Sequence, residues 1–302
     1  MDSGLGNGGG IGGLAAVVPW RLCADIPPED FSPELLPCIS LSKRWQCRGL
    51  YAEFWELAGR EKNRLYELGG YMAGAGEQLG LACLADHEFS RWESVDLSSA
   101  QSHEQVAAEM AQRALAELES YYVIGVGHAL ANMTGRVLAL DPALQQHLAT
   151  AKYIKTTFVP FSGARQDWLS MNRNVARSLQ RIAAMSGLSS FTHLADPAAG
   201  LAGSQQWQDL DDVRGEHFHR WRSQSIGMTG APKSSPWSPD SRTMSVGAGR
   251  LLGRDPRDAT ADSVRLAVVA AREALRSAAE DFDLRVRTAL RDAAGLELSD
   301  DE

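Results

Sequence analysis

The chain has 302 residues, of which 44% are hydrophobic and 23% charged, and this ordinary globular composition argues against wholesale disorder. Its formal net charge of −8 argues against a large nonspecific nucleic-acid surface, because such a surface needs a basic face, but it allows a small basic cleft. No run of about 18 apolar residues is present, so no transmembrane helix and no membrane partner is expected. Because the chain begins without the basic region of a signal peptide, we expect a cytoplasmic protein.

All four cysteines lie in the first third of the chain, at Cys23, Cys38, Cys47 and Cys83. None of them forms a C-x-x-C pair, and no nearby cluster of histidines has zinc-finger spacing. Reduced and mostly buried thiols in a cytoplasmic protein are therefore favoured over a disulfide framework.

The first 101 residues predict a flexible, glycine-rich leader over 1–19 and a helical segment over 20–101 that packs on the rest of the chain. A helical pattern begins at about Ser42. Its apolar residues recur with a 3.6-residue period: Trp45, Leu50, Phe54, Leu57, Leu65, Leu68 and Met72. Glycines between positions 69 and 76 either break or kink this helix or allow close packing, and residues 84–101 predict a polar connection.

The strongest helix is predicted over 103–140, with a capping box that starts at Ser102 and an end at Asp141-Pro142. Its predicted apolar stripe consists of Val106, Met110, Leu118, Tyr122, Val126, Met133, Val137 and Leu140. The half from Tyr121 to Leu140 is apolar nearly all round, so we expect it to be the central buried helix. Glycines at 125, 127 and 135 indicate close packing or a kink. A short helix over about 142–151 follows.

Residues 153–163 hold the only stretch with a strand-like composition, which Pro160 and Gly163 cut short. A helix is then predicted over about 164–185, and its inward residues are Trp168, Val175, Leu179 and Ile182. Three arginines spaced four apart, Arg173, Arg177 and Arg181, form a basic stripe on this helix. The stripe is either a solvated face or a surface that contacts phosphate.

Residues 186–203 predict a connection, and Ser204 is the predicted cap of a helix over about 205–224. A long loop over 227–249 separates it from the last helix, predicted over 261–294 between the cap Thr260 and the stop Gly295. The apolar side of that helix consists of Val264, Val268, Ala271, Leu275 and Phe282. An acidic tail, 296–302, ends the chain. Together these elements predict an all-α, multi-helix bundle with a long loop before its C-terminal helix.

The segment from Asp211 to Arg222 concentrates residues that carry chemistry. Two histidines, three arginines and two aromatic residues lie within its last nine positions. On a helix, Arg214 and His219 are five residues apart, so their side chains diverge by roughly 140°. Both can border a cleft at the end of the helix, or a cleft whose opposite wall comes from a second subunit.

These residue types suit the cleavage of an RNA phosphodiester without a metal ion. A neutral histidine, with a pKa of about 6.5, can accept the proton of the 2′-hydroxyl. A guanidinium can clamp the phosphate and neutralise the charge that develops in the transition state. The leaving oxygen needs a second proton carrier, for which His217 or a second copy of His219 is suitable. No cofactor is expected. His217 and His219 point apart on a helix, so no metal site is expected either.

The Arg214-x4-His219 pattern resembles the R-x4-6-H signature of HEPN-domain proteins, many of which are metal-independent ribonucleases. The resemblance implies a HEPN-like helical bundle over 102–295 that dimerises and brings two motifs to one cleft. It also implies an RNA-cleaving toxin or antiviral (phage-defence) effector, and a neutralising or activating protein partner. Within the family's pattern, Arg214 and His219 match the catalytic arginine and histidine. Gly215 departs from the polar residue usual after the arginine, and Trp221 stands where a toxin subgroup has Tyr.

The remaining site residues are assigned less directly. A polar residue that the family takes from an earlier helix matches Glu119 or, next, Asn132, and His217 would support the site. RNA binding is predicted for Arg220, Arg222, Arg173 and Arg177. Asn132 and Arg136 are four apart on the buried helix, where a structural role, in which they satisfy backbone groups, is favoured over an approach to the motif. The alternative function is a non-catalytic helical module in which the motif only binds a partner.

Overall fold

The computed structural model describes residue 27 and residues 30–48, 62–96, 102–160, 167–213 and 261–294. These residues form eight helices and no strand. The helices are α1 (Leu35–Arg48), α2 (Lys62–Glu93), α3 (Ser102–Leu138), α4 (Pro142–Thr150), α5 (Arg173–Met185), α6 (Ser189–Gly203), α7 (205–213) and α8 (Ala261–Ala294). The predicted all-α class is therefore confirmed. The leader 1–19, the loop 227–249 and the tail 296–302 lie outside the described residues.

Helix α3 is the centre of the bundle. It packs against α2, α8, α4, α5 and α6, and every residue from 129 to 140 is buried. This confirms the predicted central helix, because only a helix covered on all sides can be apolar all round. Tyr121 is the exception to the prediction, since 60% of it is exposed.

The glycines of α3 are points of close approach and leave the helix continuous. A methyl group at Gly127 would overlap the indole of Trp207 on α7, and one at Gly135 would overlap the ring of Phe158. A methyl group at Gly125 would overlap the side-chain amide of Gln78 on α2. Of the two predicted explanations, close packing is confirmed. Each glycine admits a neighbouring side chain to the axis of the central helix.

Helix α8 closes the bundle over α3 and α6. Its predicted bounds agree with the observed Ala261–Ala294. All five residues of its predicted apolar side are buried: Val264, Val268, Ala271, Leu275 and Phe282. The bounds predicted for α4 are likewise confirmed, since Asp141 caps it by accepting a hydrogen bond from the N–H of Ala143 at 2.8 Å.

The N-terminal helices differ from the prediction. Helix α1 begins at Leu35, earlier than Ser42, and α2 runs without interruption through its glycines to Glu93. The polar connection predicted over 84–101 is therefore wrong for residues 84–93. Its polar residues fit a helix because α8 supplies their partners: the Asp86 carboxylate accepts from Arg265 at 3.0 Å and from Arg272 at 2.9 Å.

Helix α5 begins later than predicted, at Arg173, because Asn172 caps it. The Asn172 side chain accepts hydrogen bonds from the N–H groups of Asn174 and Val175, each at 3.0 Å. The residues just before the cap are irregular, and Trp168, predicted to point inward, is 44% exposed. The strand-like residues 155–159 are also irregular, and both Lys155 and Phe158 have a positive φ.

The connection predicted over 186–203 is wrong, because Ser189–Gly203 form helix α6 with Pro197 inside it. A proline in a helix removes one N–H donor, so the carbonyl four residues earlier loses its helical partner. That carbonyl belongs to His193, and the guanidinium of Arg285 on α8 donates to it at 2.7 Å. A donor from another helix thus replaces the missing one, and the helix continues through the proline.

In the first half of α3 the predicted stripe is partly wrong, since Met110 is 62% and Leu118 43% exposed. The side that faces the core carries small residues instead, Ala108 and Ala116, together with the carboxyl of Glu119. Small side chains let α8 approach α3 closely enough for Arg272 to reach that carboxyl.

Candidate functional site

Helix α7 leads into the Arg214–Arg222 motif and is fixed firmly to the bundle. Ser204 caps it as predicted, because its hydroxyl accepts from the N–H of Trp207 at 3.3 Å. Trp207 and Leu210 are buried, and the indole of Trp207 fills the space left by Gly127 on α3. The described part of α7 ends at Val213. Five residues predicted for chemistry or RNA binding lie outside the described residues: Arg214, His217, His219, Arg220 and Arg222.

A cavity of about 230 Å³ lies between α7 and the start of α5. Its lining consists of Asn172, Arg173, Asn174, Ala202, Trp207, Gln208 and Asp211. Arg173 brings one positive charge to the lining and Asp211 one negative charge. Asp211 is three positions before Arg214 in the chain, so the cavity lies beside the last described turn before the motif.

The start of α5 contributes positive charge to this cavity. The macrodipole places partial positive charge at a helix N-terminus, and Arg173 stands at the first helical position. The Asn172 side chain already accepts from the N–H groups of Asn174 and Val175, so the guanidinium of Arg173 is the main positive group there. Arg173 and Arg177 are both exposed and lie one turn apart, about 6 Å along the axis.

Glu119 lies deep in the core, in a charge cluster that joins α3, α2 and α8. It is 1% exposed, and one of its oxygens accepts a hydrogen bond from Arg272. Arg272 also donates to Asp86 at 2.9 Å, and Asp86 receives a second guanidinium from Arg265. The other oxygen of Glu119, Oε2, is buried without a hydrogen-bond partner among the described residues.

Burial raises the pKa of the Glu119 carboxyl to about 8, because removal from water opposes its charged form more than Arg272 favours it. The neighbouring Asp86 carboxylate adds repulsion in the same direction. The pKa of Arg272 is raised, since both carboxylates attract its charge more strongly than burial opposes it. Arg272 thus contacts two carboxyl groups, and protonation of Glu119 removes the repulsion between them.

Asn132 holds an irregular segment of backbone against α3. Its side-chain amide donates to the carbonyl of Leu169 at 2.8 Å, and its oxygen accepts from the N–H of Leu169 at 3.0 Å. One turn earlier, Nδ1 of His128 accepts from the N–H of Met171 at 2.9 Å. The ring of His128 is thereby hydrogen-bonded to the backbone and has a structural role. Residues 128 and 132 together fix the chain that leads into Asn172 and α5.

Arg136 continues the same face of α3 and forms a second buried network. Its guanidinium pairs with Glu67 at 3.0 Å, donates to the Tyr71 hydroxyl at 2.8 Å and lies 3.9 Å from the centre of the Tyr71 ring. It also donates to Asn132 Oδ1 at 3.2 Å. Burial raises the pKa of Tyr71. These contacts agree with the structural role favoured for Asn132 and Arg136, although most partners of Arg136 are side chains.

The structure brings some of the predicted site residues together and keeps others apart. Arg173 and Arg177 share one exposed face of α5, and Arg173 lines the cavity. Glu119 and Asn132 are 13 positions apart on α3, which separates them by about 20 Å along its axis. Asn132 supports the segment that ends at the cavity, whereas Glu119 lies in the separate charge cluster.

Sequence reasoning did not identify Asp86 or Arg272. One signal was present, because Arg272 lies within the predicted apolar side of the last helix, next to Ala271 and one turn from Val268 and Leu275. An arginine on an apolar face indicates a buried acidic partner. No pattern could name that partner, since Asp86 is 186 positions away in the sequence.

Among the described residues, no group of three or more His, Cys, Asp and Glu side chains is arranged to hold a metal ion. None of the helices in these ranges is long and apolar enough to cross a membrane. In comparisons with known proteins, no family model, no curated protein and no solved structure matches the chain.

Proposed function

We propose that the protein is a metal-independent endoribonuclease in which Arg214 and His219 act on an RNA phosphodiester. One observation carries the proposal: a cavity with Arg173 in its wall lies against the last described turn of α7, and Arg214 is the next residue of the chain after Val213. A phosphate bound beside Arg173 would therefore lie near the last described turn of α7. In the sequence, this turn directly precedes the residues that the motif assigns to cleavage.

In the proposed reaction His219 accepts the proton of the 2′-hydroxyl, and the 2′-oxygen attacks the adjacent phosphorus. The bond from phosphorus to the 5′-oxygen breaks, and this oxygen leaves with a proton from a second carrier, His217 or the His219 of a second copy. The products are a 2′,3′-cyclic phosphate and a 5′-hydroxyl. Arg214 holds the phosphate and stabilises its developing charge, while Arg220, Arg222, Arg173 and Arg177 bind the flanking backbone.

The all-α bundle supports a HEPN-like architecture, and the firm attachment of α7 supports a precisely held site. The buried Trp207 and the space at Gly127 fix α7 on the central helix, and Asn132 and His128 fix the start of α5. Catalytic groups act best when rigid elements hold them in place. The two elements that border the cavity are both anchored on α3.

A homodimer is part of the proposal, because the roughly 140° between Arg214 and His219 on one helix calls for a second wall. An RNA-cleaving enzyme of this kind would act as a toxin or antiviral effector and would need a neutralising or activating protein partner. Mixing Arg214→Ala and His219→Ala chains tests the shared cleft. Activity that exceeds either variant alone is expected, because the mixed dimer holds one intact arginine and one intact histidine.

The proposal is tested with purified protein on single-stranded RNA and tRNA, with and without EDTA. We expect cleavage that survives EDTA, ends in a 2′,3′-cyclic phosphate, and falls at least about 100-fold in Arg214→Ala and in His219→Ala. The matched controls are Arg91→Ala on α2 and His193→Ala on α6, which replace exposed residues away from the cavity. Cleavage unchanged in both motif variants would end the proposal. Intact RNA with every protein would favour the non-catalytic binding module, which the net charge of −8 also suits.

A further inference from the structure

An exposed tryptophan lies on the irregular segment just before α5. Trp168 is 44% exposed, although a tryptophan side chain buries more apolar area than almost any other when it enters a core. The residues after it are buried at positions 169 and 171 and exposed at positions 170 and 172. This is the alternation of an extended chain, and Asn172 has extended dihedral angles, with φ −158° and ψ 167°. The segment therefore presents Trp168 on the same side as Asn172, which lines the cavity.

The backbone on both sides of Trp168 is fixed. After it, the N–H of Leu169 donates to the side chain of Asn132 at 3.0 Å, and the carbonyl of Leu169 accepts from that side chain at 2.8 Å. Before it, the carboxylate of Asp167 accepts a hydrogen bond from the hydroxyl of Thr156. The outward position of Trp168 is thus built into the fold, because both of its neighbours are bound to other parts of the chain.

Two further rings support the indole. The Tyr71 ring on α2 lies 5.8 Å from the Trp168 ring at an interplanar angle of 31°, and the His128 ring on α3 lies 6.3 Å from it at 84°. Both distances are in the range in which aromatic pairs attract each other. Tyr71 is held in turn, because the Arg136 guanidinium lies 3.9 Å from the centre of its ring. A ring fixed in this way loses little conformational freedom when a ligand binds to its exposed surface.

Positive charge lies close to this ring. Four residues of extended chain place Trp168 about 13 Å from Asn172, and Arg173 follows directly. Arg173 is exposed and has no hydrogen-bond or ion-pair partner among the residues that the structure describes. The carboxylate of Glu67, beside Tyr71 on α2, is paired with Arg136 and so does not oppose this charge. An exposed aromatic ring next to a free guanidinium suits a ligand that has both a flat ring and an anionic group.

An unpaired nucleotide has both groups. Its base can stack on an aromatic side chain, and its phosphate can bind a guanidinium. In a duplex the bases are stacked on each other, so their faces are not open to a protein side chain. The arrangement of Trp168 and Arg173 therefore favours a single strand over a double strand.

We infer that Trp168 is a stacking platform for one unpaired base of a single-stranded RNA whose backbone passes over Arg173 towards the cavity beside α7. The inference rests on the proposed function for the choice of RNA as the ligand, and it adds the class of substrate, an unpaired strand. Trp168 contacts a base at some distance from the scissile bond and has no part in the proton transfers.

The test measures binding with oligonucleotides that the protein cannot cleave. A 2′-O-methyl strand serves this purpose, because its blocked 2′-oxygen cannot attack phosphorus. Fluorescence anisotropy compares the single strand with its duplex and with strands that lack one base at successive positions. We expect the single strand to bind more tightly than the duplex, and Trp168→Ala to weaken binding of the single strand by roughly 5- to 100-fold. Trp168→Phe, which keeps an aromatic ring, should retain most of the affinity.

Trp92→Ala is the matched control. Trp92 is also exposed, at 37%, and it lies on α2 about 30 Å along the helix axis from Tyr71. Its removal should leave the affinity for the single strand unchanged. Helical circular dichroism of each variant shows whether the fold is kept, and the comparison of strands with and without a base can be made on the wild type alone.

A double-mutant cycle separates stacking from an indirect structural effect. At one position of the strand, removal of the base should weaken binding to the wild type about as much as Trp168→Ala does. Removal of that base should weaken binding to Trp168→Ala only slightly further, because the partner ring is already absent. A loss in Trp168→Ala that is the same for every strand, with or without each base, would overturn the inference.

Three other results would overturn it as well. They are an unchanged affinity of Trp168→Ala for the single strand, a wild type that binds the duplex as tightly as the single strand, and a wild type that binds neither, which would favour a protein partner for this surface. The ribonuclease proposal is judged separately, by cleavage of unmodified RNA. Base-dependent binding through Trp168 in a protein that leaves such RNA intact would support the platform and end only the proposed cleavage.

Discussion

The carboxyl of Glu119 on α3 accepts a hydrogen bond from the guanidinium of Arg272 on α8, and both side chains are almost completely buried. Arg272 also holds Asp86 on α2. Three helices are therefore joined through one guanidinium. Removing one partner of a buried ion pair leaves an uncompensated charge in the core. The free energy of unfolding therefore depends strongly on whether Glu119 is protonated.

Glu119→Gln should change how stability depends on pH. Burial raises the folded-state pKa of Glu119 to about 8 from an ordinary value of 4.5, so the folded protein binds this proton more tightly than the unfolded chain. The wild type should therefore lose stability as pH rises from 4.5 to about 8. Glutamine cannot ionise, so the unfolding free energy of the variant minus that of the wild type should rise across this window, by at most about 1.4 kcal/mol per pH unit.

Chemical denaturation at three pH values within the window measures this difference. Glu109→Gln, at an exposed position of the same helix, is the control, and its difference from the wild type should stay nearly constant. A flat difference for Glu119→Gln as well would mean that Glu119 is ionised in the folded protein throughout the window.

Gly127→Ala should destabilise the protein by about 1–3 kcal/mol, because the added methyl group would overlap the indole of Trp207 and displace α7. Gly74→Ala on α2 is the matched control. A methyl group there meets no atom within 4 Å, so the higher helix propensity of alanine should stabilise the protein by up to about 1 kcal/mol. Thermal and urea unfolding of both variants check the opposite signs. Equal effects of the two substitutions would contradict the close contact between α3 and α7.

Arg285 and Pro197 should be energetically coupled, although Arg285 lies on α8 and Pro197 on α6. Arg285→Ala removes the donor to the His193 carbonyl, which should cost about 0.5–1.5 kcal/mol. In a Pro197→Ala background the restored N–H of residue 197 can take over that carbonyl, so the same substitution should cost less. A double-mutant cycle in urea isolates this coupling from the ion pairs of Arg285 with Asp196 and Asp281. Strict additivity would show that Arg285 does not replace the missing helical donor.

Arg173→Ala should weaken the binding of single-stranded RNA and lower its dependence on salt. Removing one guanidinium that neutralises a phosphate should reduce the slope of log K against log salt by about 1. Arg177→Ala should act alike because it lies one turn further along the same exposed face, whereas Arg91→Ala on α2 should leave the slope unchanged. Fluorescence anisotropy with labelled RNA at several salt concentrations, from about 50 to about 200 mM, measures the three slopes. If the slopes of Arg173→Ala and Arg177→Ala equal that of Arg91→Ala, the basic stripe on α5 is a solvated face and does not contact phosphate.

The sequence predicts correctly those features of the fold whose physical cause lies in neighbouring residues. The bounds of α4, the cap at Ser204 and the buried side of α8 depend on neighbouring residues or on a 3.6-residue period, and the sequence predicts all three correctly. The continuity of α2 past residue 84 and of α6 through Pro197 depends on arginines of α8 that are about 90 to 190 positions away. No period or turn rule contains that information.

The candidate site shows the same division. The sequence identifies Arg173 and Arg177 as one stripe, and the structure adds that Arg173 lines a cavity beside α7. The family resemblance also suggests Glu119 for the site, as the polar residue from an earlier helix, although this residue belongs to the charge cluster about 20 Å from Asn132 along α3. Polarity within an apolar helix indicates that a partner exists, but both a charge cluster in the core and a site at the surface satisfy that requirement.

The contacts of His128 and Asn132 make α3 a template for the start of α5. One helical turn separates these two residues, and they bind Met171 and Leu169, which are two positions apart and run in the opposite direction. Four helical residues rise about 6 Å, and two residues of extended chain cover about 6.6 Å, so the two spacings match. The backbone that leads into α5 is thus held on the central helix at two points, while the buried Val175, Leu179 and Ile182 decide which face of α5 is exposed. A substitution at position 128 or 132 would release one of these two points without altering any arginine of the basic stripe.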